Sequence, residues 1–293
     1  MASAQEIYIP LISKGYQHQF WQAVKKGADQ AAKDFKVKVT FEGPETEQQV
    51  DKQIDMLAAA LAKHPQAIGF AALDSKAAIP LLRKAQAEKI PVIAFDSGVD
   101  SDIVLTTAQT DSKAAAALAA DMMAKKIGDA GEVAVIAHDQ TSTTGTERRD
   151  GFVNRIKEKY PKIKVVDIQY GGGDHLKSAE IAKTLVLAHP KLKGIFGTNE
   201  GSAVGAGMGI KEAKKTGVVI IGFDSGKAQK DMIKDGTIAG AITQNPVGIG
   251  YKTVEAAVKA LKGEKLPKII DTGFYYYDKS NMNDPKIAAV LYD

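Results

Sequence analysis

The chain has 293 residues, 44% of them hydrophobic and 25% charged, with 39 basic and 35 acidic side chains mixed along its length for a net charge of +4. That length can bury one large core or two smaller ones, and the mixed charge excludes the one-signed basic surface of a nucleic-acid binder. The absence of cysteine excludes disulfides, thiolate metal sites and a cysteine nucleophile, and no apolar run approaches the roughly 18 residues of a membrane span.

Taken in order, the apolar spacing alternates between the periods of strands and helices. A strand over 6–13 leads through Lys14-Gly-Tyr-Gln-His18-Gln-Phe20-Trp21 into a helix ending near residue 36. In that helix Phe20, Val24, Ala28, Ala31 and Phe35 form one apolar stripe, and Trp21 falls off it. Next come strand 37–41, helix 47–63, strand 67–73, helix 77–88 and strand 91–96. This last strand, Pro91-Val-Ile-Ala-Phe-Asp96-Ser97-Gly98, is an unbroken apolar run that delivers a carboxylate to its end, as a buried parallel strand would. After an extended stretch over 102–108, the second half reads as helix 112–127, strand 132–137, helix 144–158, strand 164–170, helix 176–187 and strand 194–197. Helix 203–216, strand 218–224, helix 227–234, strand 238–243, helix 247–261 and one extended stretch over 268–277 complete it. Such alternation predicts an α/β fold of doubly wound parallel sheets, flavodoxin-like or Rossmann-like, with helices on both faces.

The sequence also repeats itself. Val218-Val-Ile-Ile-Gly-Phe-Asp224-Ser225-Gly226 echoes the strand ending at Asp96, 128 residues on (224 minus 96). His64-Pro65 recurs as His189-Pro190, and Asp74 is matched by Asn199, both offset by 125 (189 minus 64; 199 minus 74). Trp21 to Gly27 corresponds loosely to Glu147 to Gly151, and Ala108-Gln109-Thr110 to Thr243-Gln244-Asn245. Two similar lobes built from a duplicated α/β unit account for all of these, with length differences confined to loops.

Ligands of open parallel sheets bind outside the C-terminal strand ends, so those ends supply the candidates. The first half offers His18, Phe20, Trp21, Asp74, Asp96 and Ser97; the second offers Asp139, Arg148, Asn199, Asp224 and Gln244. Carboxylates and amides that exchange hydrogen bonds with hydroxyls, with rings that pack on C–H faces, suit a neutral polyhydroxyl ligand. Plainer roles stand beside these. Asp96 and Asp224 each precede a Ser-Gly turn and suit helix N-caps, Phe20 suits the core, His64 and His189 suit loops, and the basic run over 157–164 suits a solvated face. Neither Ser97 nor Ser225 lies in a hydrolase elbow, the glycine-rich stretches 171–174 and 205–209 fit no phosphate loop, and no cofactor or metal motif is present.

Phe20-Trp21 opening a helix, Pro91-Val-Ile-Ala-Phe-Asp96, Glu147-Arg-Arg-Asp-Gly-Phe152, Asn199-Glu200, Gly222-Phe-Asp224 and Thr243-Gln244 together resemble the type I periplasmic binding proteins. The likeness is strongest to the ribose, galactose and allose group serving sugar ABC transporters, and runs to about Tyr277. It implies a three-segment hinge joining lobe 1–109 with 245–274 to lobe 110–244 with 275–293, the crossings lying near Gln109, Gln244 and Gly273 and the lobes closing over the sugar. Carried over residue by residue, the implied ligand positions are His18, Phe20, Trp21, Asp96, Ser97, Thr146, Gly173, Asn199, Asp224 and Gln244, with Arg148 beside them. The implied protein is a monomeric, non-enzymatic receptor that hands a sugar or polyol to a membrane permease, in the periplasm or tethered outside the cell. Met1-Ala-Ser-Ala-Gln passes straight into a strand without a signal peptide, which fits a cytoplasmic protein or one whose export segment has been replaced. Two alternatives stay open. One is the effector domain of a sugar-responsive transcriptional regulator, although no helix-turn-helix precedes the first strand. The other is an α/β glycosidase or nucleoside hydrolase.

The chain departs from the ribose binders at Ser97 and Thr146, where they carry arginines, at Gly173, where they carry an aromatic residue, and at His18, where they carry an amide. These departures predict a roomier and less cationic pocket suited to a larger or differently substituted polyol, such as a hexose, an inositol or a sugar with a neutral substituent. The segment 280–293 extends past the resemblance and carries no functional reading.

Overall fold

The computed structural model describes residues 4–293. They form two compact units, one made of residues 4–17, Trp21–Thr110 and Asn245–Thr272, the other of His18–Phe20, Asp111–Gln244 and Gly273–Asp293.

The first unit contains β1 (Tyr8–Ile12), most of α1 (Gln19–Phe35), β2 (Lys38–Glu42), α2 (Val50–Ala62), β3 (Ile68–Phe70), α3 (Ile79–Ala87), β4 (Val92–Phe95) and β5 (Val104–Gln109). The second contains α4 (Ser112–Ile127), β6 (Gly131–Ala137), α5 (Thr143–Lys159), β7 (Ile163–Tyr170), α6 (His175–Ala188), β8 (Leu192–Gly197), α7 (Glu200–Glu212), β9 (Val219–Phe223), α8 (Lys227–Lys234) and β10 (Gly240–Gln244). Then α9 (Pro246–Leu261) and β11 (Ile269–Asp271) return to the first unit, and β12 (Phe274–Tyr277) and α10 (Pro285–Ala288) to the second. One sheet runs β11-β5-β4-β3-β1-β2 and the other β12-β10-β9-β8-β6-β7. Without the sixth strand the two orders are identical, so the repeat in the sequence is a repeat in topology. The sixth strands differ in sense: β11 lies parallel to β5, whereas β12 lies antiparallel to β10.

Local chemistry sets the boundaries. Asp111 accepts the Ala114 N–H at the start of α4, and Gly128, at φ 77°, closes its end. Asn245 caps α9 by accepting the Gly248 N–H, with Pro246 as its first helical residue. Two expectations change. The single extended stretch over 268–277 is two strands in different sheets, because Gly273 turns the chain at φ 80° between them. The helix expected over 203–216 begins at Glu200, since Asn199 caps it, and ends at Glu212, just before the left-handed Lys214.

In the first unit Leu57, Ile68, Phe70, Leu82 and Val92 pack into one apolar cluster. In the second, strand alternation splits the core between the sheet faces. Val133 and Val135 of β6 join Phe152, Phe196 and Phe223 on one face, while Ala134 and Ile136 join Leu185, Ile195, Ile220 and Tyr277 on the other. The Phe152 and Phe196 rings stack at 4.6 Å. Among the described residues no helix is long and apolar enough to cross a membrane, and no group of three or more His, Cys, Asp or Glu side chains could hold a metal ion.

Candidate functional site

In the first unit, β4 delivers Asp96 just past its C-terminal end, buried and at φ 60°. A left-handed backbone is costly for a residue with a side chain and persists only where the surroundings enforce it. Here the Asp96 N–H donates to the Ala108 carbonyl at 2.9 Å, which ties the turn to β5. Lys14, two residues past the end of β1, brings a buried ammonium 3.6 Å from Asp96 Oδ2 and donates to Ser97 Oγ at 3.1 Å. Ser97 in turn donates to Asp96 Oδ2 at 3.4 Å. Below this cluster the buried Gln53 amide donates to the Ser13 and Ala71 carbonyls and accepts the Leu73 N–H, which clasps the ends of β1 and β3 together.

Beside Ser97, one of the two positions where the ribose binders carry arginine, Lys14 brings a positive charge from beyond the end of β1, one strand removed from β4. The signal available in the sequence was its place just beyond a buried strand. Trp21, off the apolar stripe of α1, is nonetheless buried: its indole N–H donates to Glu47 Oε1 at 2.8 Å and its ring meets Phe95 edge-on at 6.3 Å. Asp74 accepts the Lys76 and Ala77 N–H groups and shapes a turn.

In the second unit Asp224, past the end of β9, is also buried and left-handed, at φ 75°. Two neutral donors hold its carboxylate. Gln244, the last residue of β10, donates Nε2 to Oδ1 at 2.6 Å, and the Glu200 N–H donates to Oδ2 at 3.0 Å. Asp224 thus adds a carboxylate to the N-terminus of α7, where the helix dipole favours it. Asn199 caps the same helix, its Oδ1 accepting the Ser202 N–H at 2.9 Å. The N-cap role considered for the two aspartates is therefore revised: α8 is preceded by Gly226 without a side-chain cap, and no helix follows Asp96 directly.

The other second-unit candidates divide by what holds them. Thr146 donates its hydroxyl back to the Ser142 and Thr143 carbonyls within α5. Arg148 is buried, donates to the Thr198 carbonyl at 3.0 Å and to Ser112 Oγ at 3.4 Å, and lies 3.9 Å over the Phe223 ring. Asp139 accepts from the Thr141 and Ser142 backbone and from the Ser142 hydroxyl, which builds the entry to α5. Gly173 is left-handed, at φ 68°, and its carbonyl lies so close to Gly201 that a Cβ there would sit 1.8 Å from it. An aromatic side chain at 173 would carry the cost of that left-handed backbone.

His18 and Phe20 group with the second unit. The His18 ring stacks on His175 at 5.7 Å, and its Nδ1 lies 3.9 Å from Glu200 Oε2. Burial pushes the His175 imidazole below its ordinary range, against the pull of Asp174. Phe20 meets Tyr292 edge-on at 6.2 Å. Besides Lys14, sequence reasoning missed Glu200, His175 and Tyr292, all placed by turns and by a segment whose path the periodicity does not reveal.

Two doubly wound sheets of one strand order, each presenting a buried aspartate beyond its fourth strand, define a type I solute-binding fold. The chain belongs to the periplasmic binding protein family: the family's model, described as periplasmic binding protein domain, matches residues 9–265. It is 32% identical over 193 residues to the ribose import binding protein of Salmonella typhimurium, a match covering 66% of this chain and 64% of that protein. A carbohydrate transporter solute binding protein from Agrobacterium radiobacter, solved in complex with D-arabinose, is 36% identical, with a TM-score of 0.94 over 99% of this chain and 100% of the other. An ABC transporter solute binding protein from Agrobacterium vitis, solved with D-fucose, is 35% identical, with a TM-score of 0.93 over 97% of this chain and 100% of the other. Proteins of this family work in the periplasm or outside the cell.

Proposed function

We propose that this protein is the substrate-binding component of a sugar ABC transporter, and that it takes up one neutral monosaccharide or related polyol at its buried strand-end carboxylates. The observation that carries this reading is the pair of buried, left-handed aspartates, Asp96 and Asp224, each set at a C-terminal strand end among hydrogen-bond donors. An ionised carboxylate accepts from two hydroxyls at once, and hydrogen bonds to a charged group are the stronger kind. Gln244 and Lys14 hold the two carboxylates in place, so a sugar meets acceptors whose orientation is already fixed. The D-arabinose, D-fucose and ribose of the relatives are uncharged polyols of one ring, and this donor and acceptor set suits that class. No chemical step on the sugar belongs to the reading, since the relatives are transport binding proteins. Its partner is a membrane permease, and it acts as an exported monomer.

The test is calorimetric titration with D-arabinose, D-fucose, D-ribose, D-allose, hexoses and inositols, alongside thermal shift and the emission of Trp21, the sole tryptophan. Saturable binding of one sugar without product, weakened about 10- to 100-fold by Asp224→Asn, is the expected result. Turnover of the sugar, or no binding across the panel, would sink the reading.

A further inference from the structure

The segment after β12 lies beyond the stretch matched by the family model, which stops at residue 265. It is nevertheless held along its whole course. Asp278 accepts from the Ser280 N–H and hydroxyl, and Asn281 donates to the Tyr276 carbonyl, fixing the turn out of the sheet. Met282 and Ile287 are buried in the second unit's core, and Leu291 packs against it. Lys230 pairs with the Asp293 carboxylate one residue beyond Tyr292. Tyr292 therefore sits between two anchors.

Those anchors put the ring at the rim of the candidate site. The Ser225 N–H donates to the Tyr292 phenol oxygen at 3.2 Å, and the Tyr292 N–H donates back to Ser225 Oγ at 3.4 Å. Ser225 is the residue after Asp224, so this two-way clamp holds the ring against the strand end that carries the carboxylate. On its other side the ring meets Phe20 edge-on at 6.2 Å. We propose that Tyr292 is a sugar-contacting, specificity-determining residue: the segment 278–293 supplies an aromatic wall and a phenolic donor beside Asp224, in a unit whose left-handed Gly173 carries no ring. The inference rests on the sugar-binding reading above.

The chemistry follows from the clamp. Having accepted one hydrogen bond, the phenol retains its O–H to donate to a sugar hydroxyl, while the ring face and edge pack on C–H groups. Burial, with the Glu200 and Asp224 charges nearby, raises the phenol well above its ordinary range, so it stays a donor at every physiological pH. A wall of this kind reads the substituents of the ring carbon it touches, and so discriminates D-fucose, which carries a methyl group, from D-arabinose, which carries none.

The experiment measures Kd for D-arabinose, D-fucose and D-ribose with wild type, Tyr292→Ala, Tyr292→Phe and Leu291→Ala, together with the unliganded melting temperature of each. The expected result is a loss of about tenfold or more for Tyr292→Ala, a smaller loss for Tyr292→Phe, and a changed ratio between sugars in at least the alanine variant. Leu291→Ala, which loosens the segment without altering the ring, is expected to lower the melting temperature and leave the ratio unchanged. If wild type binds and Tyr292→Ala keeps both affinity and ratio, or if every sugar weakens equally in step with the melting temperature as in Leu291→Ala, the inference is overturned while the function stands. If Tyr292→Ala fails to fold, Tyr292→Phe decides: an unchanged affinity and ratio overturn the inference. If wild type binds none of the panel, the functional reading falls and takes this inference with it.

Discussion

The two units share one strand order and a buried, left-handed aspartate just beyond the fourth strand, yet they neutralise that aspartate by opposite means. In the first, Asp96 faces an ammonium, Lys14, at 3.6 Å. In the second, Asp224 faces an amide, Gln244, and a helix N–H. The difference teaches that duplication preserves where a charge is delivered and not how it is balanced. An ion pair fixes a carboxylate by Coulomb attraction, which grows as water is excluded, whereas amide and backbone donors fix it by direction. The first arrangement is also the more fragile, because removing either partner takes the opposite charge away from a buried ion.

The largest test is to remove each balancing group. Lys14→Met is expected to lower stability by about 3 to 5 kcal/mol, with Lys14→Met plus Asp96→Asn recovering most of it. Gln244→Leu is expected to cost less, about 1 to 3 kcal/mol, because the Glu200 N–H still holds Asp224. Urea denaturation followed by Trp21 emission and by circular dichroism measures both. A Gln244→Leu loss equal to or larger than that of Lys14→Met would break the contrast.

A second pair compares the caps of the helices that follow the fifth strand of each sheet. Asp111 caps α4 after β5, and Asn245 caps α9 after β10. Asp111→Ala and Asn245→Ala are each expected to cost about 1 kcal/mol, the ordinary value of a lost N-cap. Midpoints that differ by more than twofold between the two variants would mean that the symmetry of topology does not extend to energetics.

The smallest effect is titration at His175, which has no counterpart in the first unit's site. Burial holds its folded-state pKa below the unfolded value of about 6.5. The native state therefore binds fewer protons there, its contribution is fully present above that unfolded value, and stability falls as pH drops through the window below it. Melting curves from pH 8 to pH 5 are expected to show a decline that His175→Gln reduces. A decline of the same size in the variant would assign the effect to other groups.

How much of this was legible in the sequence depends on which interaction decides each feature. Helices α4 and α8 fall on the residues their spacing predicts, because an apolar stripe is a local signal, joined in α4 by the equally local Asp111 cap. The twin aspartates were visible through repetition alone, although nothing in the string announced their left-handed backbone, which the tie from Asp96 N–H to Ala108 enforces. Lys14 was read as part of a turn because its partner stands 82 residues away (96 minus 14) on another strand. The break at Gly273 and the course of the segment behind it escaped for the same reason: which sheet edge accepts a strand is a tertiary outcome.

The exchange of α9 and β11 into the first unit and of β12 into the second has a consequence for how the chain is made. Synthesis runs from the N-terminus, and the first unit lacks a helix and an edge strand until Asp271 has left the ribosome. The second unit lacks its own edge strand for a few residues longer. For most of translation, then, neither sheet is complete, and a long unfinished polypeptide is available to chaperones before either unit can lock.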